Sequence, residues 1–157
     1  MDAVTRDHLA RALAWSDSHV SFDNAVRNLD VDLRGRRPEG LSHSPWELVE
    51  HIRIAQRDIL DFCVAARYDG RQWPDDYWPT PEPPDAAAWD RSIAAVRDDR
   101  EALQRLAQDT TIDLTAVTPH GTKQTYLREL LLVADHTAYH VGQIVLVRQL
   151  LGAWPAK

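Results

Sequence analysis

The stretch from Tyr126 to Leu151 constrains the fold more than any other part of this 157-residue chain. It reads YLRELLLVADHTAYHVGQIVLVRQLL, with Leu, Val, Ile and Ala spread almost all round a helical wheel. A helix that is apolar on nearly every side belongs in an interior, so the pattern predicts the most buried helix of a multi-helix domain. It makes a poor membrane span, because Asp135, His136, His140, Gln143 and Arg148 interrupt it. Gly152 ends it and Pro155 follows, the usual stop signals.

Three further helices are predicted around it. The first runs from about Thr5 to Leu29, with Leu9, Leu13 and Val20 on one edge of its apolar face and Trp15, Phe22, Val26 and Leu29 on the other. The second starts at Ser44-Pro45-Trp46-Glu47, which reads as a cap, a proline at the first helical position and a returning glutamate. Leu48, Ile52, Ala55, Ile59 and Phe62 form its buried stripe, and it ends near Arg67. The third begins at Asp85 and runs to about Ala107 through Trp89, Ile93, Val96, Leu103 and Leu106. Between the second and third lies a loop, Gly70 to Pro84, that holds five prolines together with Trp73, Tyr77 and Trp78. A loop this long and aromatic has something to bury and is often functional. No strand alternation competes and no repeat is visible. The expectation is a single all-α domain over residues 1–157, a four-helix bundle, whose long connections permit crossovers.

Charge narrows the partners. Asp and Glu number 24 against 18 Lys and Arg, a formal net charge of −6, and no basic run is present. That excludes a surface built to displace counterions from nucleic acid and disfavours an anionic membrane. The single cysteine, Cys63, allows no intrachain disulfide. The first residues carry acids and no apolar core of a secretory signal, so a cytoplasmic protein is expected.

The chemistry sits on histidines. His136 and His140 are four apart, which puts both imidazoles on one face a turn apart. They share a more polar stripe with Glu129 and Gln143. His51 flanks the buried stripe of the second helix and points inward. A single core histidine is ordinarily a hydrogen-bonded packing residue, and an i, i+4 pair recurs by chance. Two of them on an otherwise aliphatic helix need a compensating partner, since an unpaired buried polar group costs about 1–3 kcal/mol. A divalent metal held by three neutral imidazoles would supply it and leave one position or more open.

These residues also carry a resemblance. The run LRELLLVADHTAYHVGQIVLVRQLLGAW from Leu127 to Trp154, with its H-x-x-x-H-x-G-Q-I core, resembles the last helix of the DinB-like (DinB/YfiT) family. SPWELVEHI, Ser44 to Ile52, resembles that family's second-helix motif with its single histidine, and Tyr77-Trp78-Pro79 with Pro83-Pro84-Asp85 and Trp89-Asp90 fits as well. The resemblance implies a bundle in up-down-down-up order, frequent dimers and a three-histidine divalent metal site. By matched motif, His51, His136 and His140 take the ligand roles. Family members of known activity include thiol-dependent transferases and an isomerase that use low-molecular-weight thiols.

Other candidates rank lower. Thr137 follows His136 where a zincin protease would have glutamate, so that general base is missing. Glu47 has two readings, support of His51 four residues on or completion of the capping box. Gln143 is placed to bond a ligand, a substrate or a neighbouring helix. Asp135 points about 100° away from His136. Asp58, seven after His51, is either a distant polar group of the pocket or solvated and salt-bridged. His8 and His19 share a face with Trp15 and Phe22, His43 and His120 fall in loops, and Cys63 reads as a small buried hydrophobe. The leading expectation is a metal-dependent enzyme, a thiol-dependent transferase or a hydrolase acting on a small molecule. Zinc or nickel is the expected metal, with a low-molecular-weight thiol as a candidate cosubstrate and a homodimer as the assembly. The alternative is a non-catalytic metal- or ligand-binding bundle. No catalytic residue beyond the ligands is identified.

Overall fold

The computed structural model describes residues 1–83 and 85–154, so Pro84 and Pro155 lie outside it. Four of the helices start at a short polar side chain that takes up a free backbone N–H group. Asp2 caps α1 (Ala3–Ala12) through Thr5 N. Ser21 caps α2 (Phe22–Val26), and α3 (Val31–Arg34) follows at once. Ser44 caps α4 (Pro45–Val64) in a complete capping box with Glu47. A short 3-10 turn spans Asp75–Tyr77. Asp85 accepts from Ala87 N just ahead of α5 (Ala88–Gln108), and Thr125 caps α6 (Tyr126–Leu150). No strand occurs among the described residues, only an isolated bridge between Val117 and Thr125.

The expected first helix is not continuous. It breaks after Leu13, and Phe22, Val26 and Leu29 reach the core from α2 and the turn after it. Ser16, Asp17 and Ser18 offer side-chain acceptors that compete with helical hydrogen bonds, and Ser21 restarts the helix as a new cap. Asn28 then adopts a left-handed φ of 53°. Trp15, expected on the apolar face, falls in the break, is 49% exposed and donates to Asp17 at 2.6 Å.

Side-chain hydrogen bonds give the helix directions. Gln104 on α5 donates to Ala10 O of α1, and Arg6 near the start of α1 donates to Ala107 O and Asp109 O at the end of α5, so the two are antiparallel. Ser92 bonds Glu50, Gln56 bonds Val96 O and Arg57 bonds Asp99, so α4 and α5 are parallel. On α6, His136 meets His51 while Val147 faces Leu48, so α6 runs back along α4. The four helices α1, α4, α5 and α6 therefore follow an up-down-down-up path, with α1 only 10 residues long.

Two apolar clusters fill the interior. One joins α2 to the first half of α4 and α5 and the second half of α6, around Phe22, Trp46, Ile52, Trp89 and Ile144. The other joins α1 to the opposite ends, around Leu9, Leu60, Leu103, Leu114 and Leu130. The most buried helix is α4, with 14 of its 20 residues enclosed against 8 of 25 for α6, which reverses the expectation from hydropathy. An apolar helix has more surface than its neighbours cover, and α6 leaves Leu131, Tyr139, Leu146 and Leu150 outside.

Candidate metal centre

The side chains of His51, in the first half of α4, and of His136 and His140, near the middle of α6, meet between the two helices. One ring nitrogen from each lies within 4.8 Å of the other two. His51 Nε2 and His136 Nε2 are 3.0 Å apart. Two bare lone pairs cannot face each other at that distance, so either a proton or a cation must lie between them. Tetrahedral imidazole nitrogens bound to zinc at about 2.0–2.1 Å would be roughly 3.3 Å apart, close to what is found. His51 is 2% and His140 7% exposed, while His136 is half-buried at the rim.

Hydrogen bonds fix the orientation of two of the rings. His51 Nδ1–H donates to Tyr77 O at 2.8 Å, and His140 Nδ1–H donates to Gln143 Oε1 at 2.6 Å. Both partners are oxygen acceptors, so the proton sits on Nδ1 and the Nε2 lone pairs turn inward. Charge is also right for ligation. Burial, reinforced by the neighbouring imidazoles, holds His136 down at about 3 and His140 at about 4, and burial lowers His51 too. All three are neutral at physiological pH, the form that binds a metal. Among the described residues no fourth His, Cys, Asp or Glu joins the group. The arrangement is compatible with a divalent ion held on three sides and open on another.

The open side leads into a cavity of about 320 Å³ lined by His51, His136, Phe62, Trp73, Tyr77 and Leu132, with Asp58, Arg128 and Glu129 among its polar groups. Both carboxylates are engaged. Asp58 accepts from Tyr77 Oη at 2.6 Å and Tyr68 Oη at 3.0 Å, with Arg71 at 3.8 Å, and Glu129 accepts from Arg128 at 2.5 Å. Burial and the adjacent Asp58 push the Tyr68 hydroxyl up to about 12 and raise that of Tyr77 further, so both phenols stay protonated donors. A larger cleft of about 550 Å³ between Arg34, Glu82 and Trp89 has none of the three histidines in its wall.

The aromatic loop closes over the site. Trp78 lies flat on His51, with ring centroids 4.0 Å apart and planes 3° from parallel, and His43 stacks on its far side at 3.9 Å. Trp46 Nε1 ties the same loop down through Thr80 O. Trp73 stays 71% exposed at the cavity mouth.

Several other candidates resolve. Glu47 accepts from Ser44 N and from Arg37, so it completes the cap and does not touch His51. Gln143 does bond a histidine of the group. Asp135 is exposed, as are His8 and His19. His120 Nε2 donates to Ala65 O outside the centre. Cys63 is buried, and desolvation followed by Glu129 pushes its thiol up to about 12, so it remains a protonated packing residue. The phenols of Tyr68 and Tyr77 and the stacking of Trp78 on His51 were not legible in spacing. The proline-flanked Tyr77-Trp78 pair was the available signal.

Residues 14–144 match the family model described as DinB superfamily. No curated protein and no solved structure matches the chain.

Proposed function

The chain belongs to the DinB superfamily, and from that premise we propose that it is a divalent-metal-dependent enzyme acting on a small molecule, with His51, His136 and His140 as ligands. The observation that carries this reading is the convergence of three neutral imidazoles, with no fourth ligand among the described residues, at the wall of a cavity large enough for a small organic molecule. A structural site would be closed by a fourth protein ligand. Zinc or nickel at this position would lower the pKa of a bound thiol or water and so supply a nucleophile at neutral pH.

Between the two chemistries, a thiol-dependent transferase fits better than a hydrolase. Water attack is helped by a free general base, and both carboxylates of the cavity are committed to other partners. A thiol ionised by the metal needs no such base. Phe62, Trp73 and Leu132 would hold the apolar part of the electrophile. Gln143 and the Tyr77 carbonyl orient the imidazoles, while Trp78 excludes water from one side of His51.

Two copies are proposed to associate through α6. Leu131, Tyr139, Gly142, Leu146 and Leu150 follow one another at spacings of three, four or eight along its exposed side, and the Cβ position of Gly142 is open, so a second helix can approach closely. A cytoplasmic setting agrees with the lone buried thiol.

Metal analysis of protein purified without chelator tests the centre. About one zinc or nickel ion per chain is expected in the wild type and none in His140→Ala. A panel of cellular thiols offered with electrophilic acceptors tests the reaction. Turnover that needs no thiol counts against the transferase, and bound metal with no turnover on any panel favours a binding protein.

A further inference from the structure

We propose that Asp58 is a positioning residue for the metal centre, acting on His51 through Tyr77. The inference rests on the metal reading above and deepens it. Asp58 lies seven residues, two helical turns, after His51 on the same face of α4, about 10.5 Å along the axis. Tyr77 spans that distance. Its backbone carbonyl accepts from His51 Nδ1–H at 2.8 Å, and its hydroxyl donates to Asp58 Oδ2 at 2.6 Å. One residue of the loop is thus pinned at both ends to the helix that bears the ligand.

The arrangement solves a positional problem. Tyr77 closes a three-residue 3-10 turn in a long connection whose residues Arg71 to Asp76 are all exposed. A carbonyl in such a segment is a weak guide for an imidazole unless its own place is fixed. Asp58 is buried, and a buried carboxylate is stable only with donors around it. Tyr68 and Arg71 help to satisfy it, which leaves Oδ2 for Tyr77. The same anchoring sets the next residue, Trp78, flat against the His51 ring. Asp58 therefore touches no ligand atom, yet it fixes the acceptor that selects the tautomer of His51 and the plane in which its Nε2 points.

The test measures affinity for zinc, and for cobalt as a spectroscopic probe, by competition with a chromophoric chelator. Tyr77→Phe and Asp58→Leu, which keeps the branched shape and removes the acceptor, should each weaken binding about tenfold, within the range known for groups that orient metal-bound imidazoles. The double variant should be no weaker than either single one, because both remove the same hydrogen bond. Tyr68→Phe removes the other phenol from Asp58 without touching the path to His51 and should stay within about twofold of wild type. The visible spectrum of the cobalt form should change in Tyr77→Phe and not in Tyr68→Phe, which a general loss of stability would not produce. Tyr77→Phe carries the test alone if Asp58→Leu does not fold. Wild-type affinity in Tyr77→Phe, equal losses in Tyr68→Phe and Tyr77→Phe, or additive losses in the double variant overturn the positioning role and leave the metal centre standing. A wild-type chain that binds neither ion overturns both.

Discussion

On its inner side, α6 packs Glu129, His140 and Arg148 among Leu130, Val133, Val141 and Ile144; on its outer side it leaves Leu131, Tyr139, Leu146 and Leu150 in water. Each side breaks the usual rule of burial, in opposite directions. The inner polar groups all have partners: Arg128 for Glu129, Gln143 and the other imidazoles for His140, backbone carbonyls for Arg148. The outer apolar groups stay about half exposed or more, even where Tyr139 touches the edge of His140. The difference is one of energetic scale. A buried polar group without compensation destabilises the chain directly, whereas an exposed leucine costs the isolated chain little and is stabilised only by association. Inner-face changes should therefore act on folding and metal binding, and outer-face changes on assembly.

Arg148 offers the largest effect on folding. Its guanidinium donates to Ala25 O at 2.6 Å, Arg27 O at 2.9 Å and Ala153 O at 2.9 Å, closing the end of α2 and the end of α6 together. Arg148→Ala strands those carbonyls and removes a side chain from the core, so a loss of about 3 kcal/mol is expected in urea unfolding. A loss below about 1 kcal/mol would mean that water replaces the guanidinium freely and that the inner face is not as closed as its burial indicates.

The same contrast explains what was legible in the sequence. Periodicity found α4 and α5 because each holds a regular stripe for about twenty residues, and α6 stood out as a long apolar run ended by Gly152. It failed on the first segment, because Leu9 and Leu13 keep helical spacing and so do Phe22 and Val26, while the nine-residue step from Leu13 to Phe22 puts the two pairs on opposite sides of any continuous helix, and the break lies in Ser16, Asp17 and Ser18. Apolar spacing reports which residues are buried, and polar side chains decide where the backbone turns. Hydropathy misjudged α6 for a related reason: it counts apolar residues without saying how much neighbouring surface exists to cover them. The convergence of the three histidines was legible because the i, i+4 pair is a local pattern on an apolar helix and SPWELVEHI around His51 resembles a family motif. The Tyr77 carbonyl, the Asp58 phenols and the Trp78 stack were not, since they join α4 to a loop and no local pattern announces such a contact.

Acid should expose the inner face next. Native His136 and His140 stay neutral down to about 3 and 4, whereas the unfolded chain takes up protons below the ordinary value of 6.5. Between those limits the unfolded state binds more protons than the native one, so stability of the metal-free protein falls as pH falls. Above 6.5 these groups contribute no slope. The urea midpoint of the metal-free wild type should therefore drop more steeply from pH 7 to pH 5 than that of His140→Leu, which lacks one of the buried imidazoles. Parallel curves would place the histidines in a more solvated setting than their burial implies, and the inner face would lose its distinction.

The outer face should give the smallest effect on folding and a clear one on mass. Tyr139 and Leu146 project from α6 on either side of Gly142, where the open Cβ position lets a partner helix come close. Tyr139→Ser with Leu146→Glu places a charge at the centre of that face, and in a two-fold pair each carboxylate meets the other copy of the same face. Sedimentation equilibrium at micromolar concentration should show a dimer for the wild type and a monomer for the double variant. Stability of the diluted monomer should change by no more than about 1 kcal/mol, because both side chains are about half exposed or more. Metal content should also be unchanged, since neither residue is among the proposed ligands. A wild type that is already monomeric would remove the second copy as the partner of this face. A double variant that unfolds would mean that the outer side chains support the bundle itself, and the two faces of α6 would then differ in degree and not in kind.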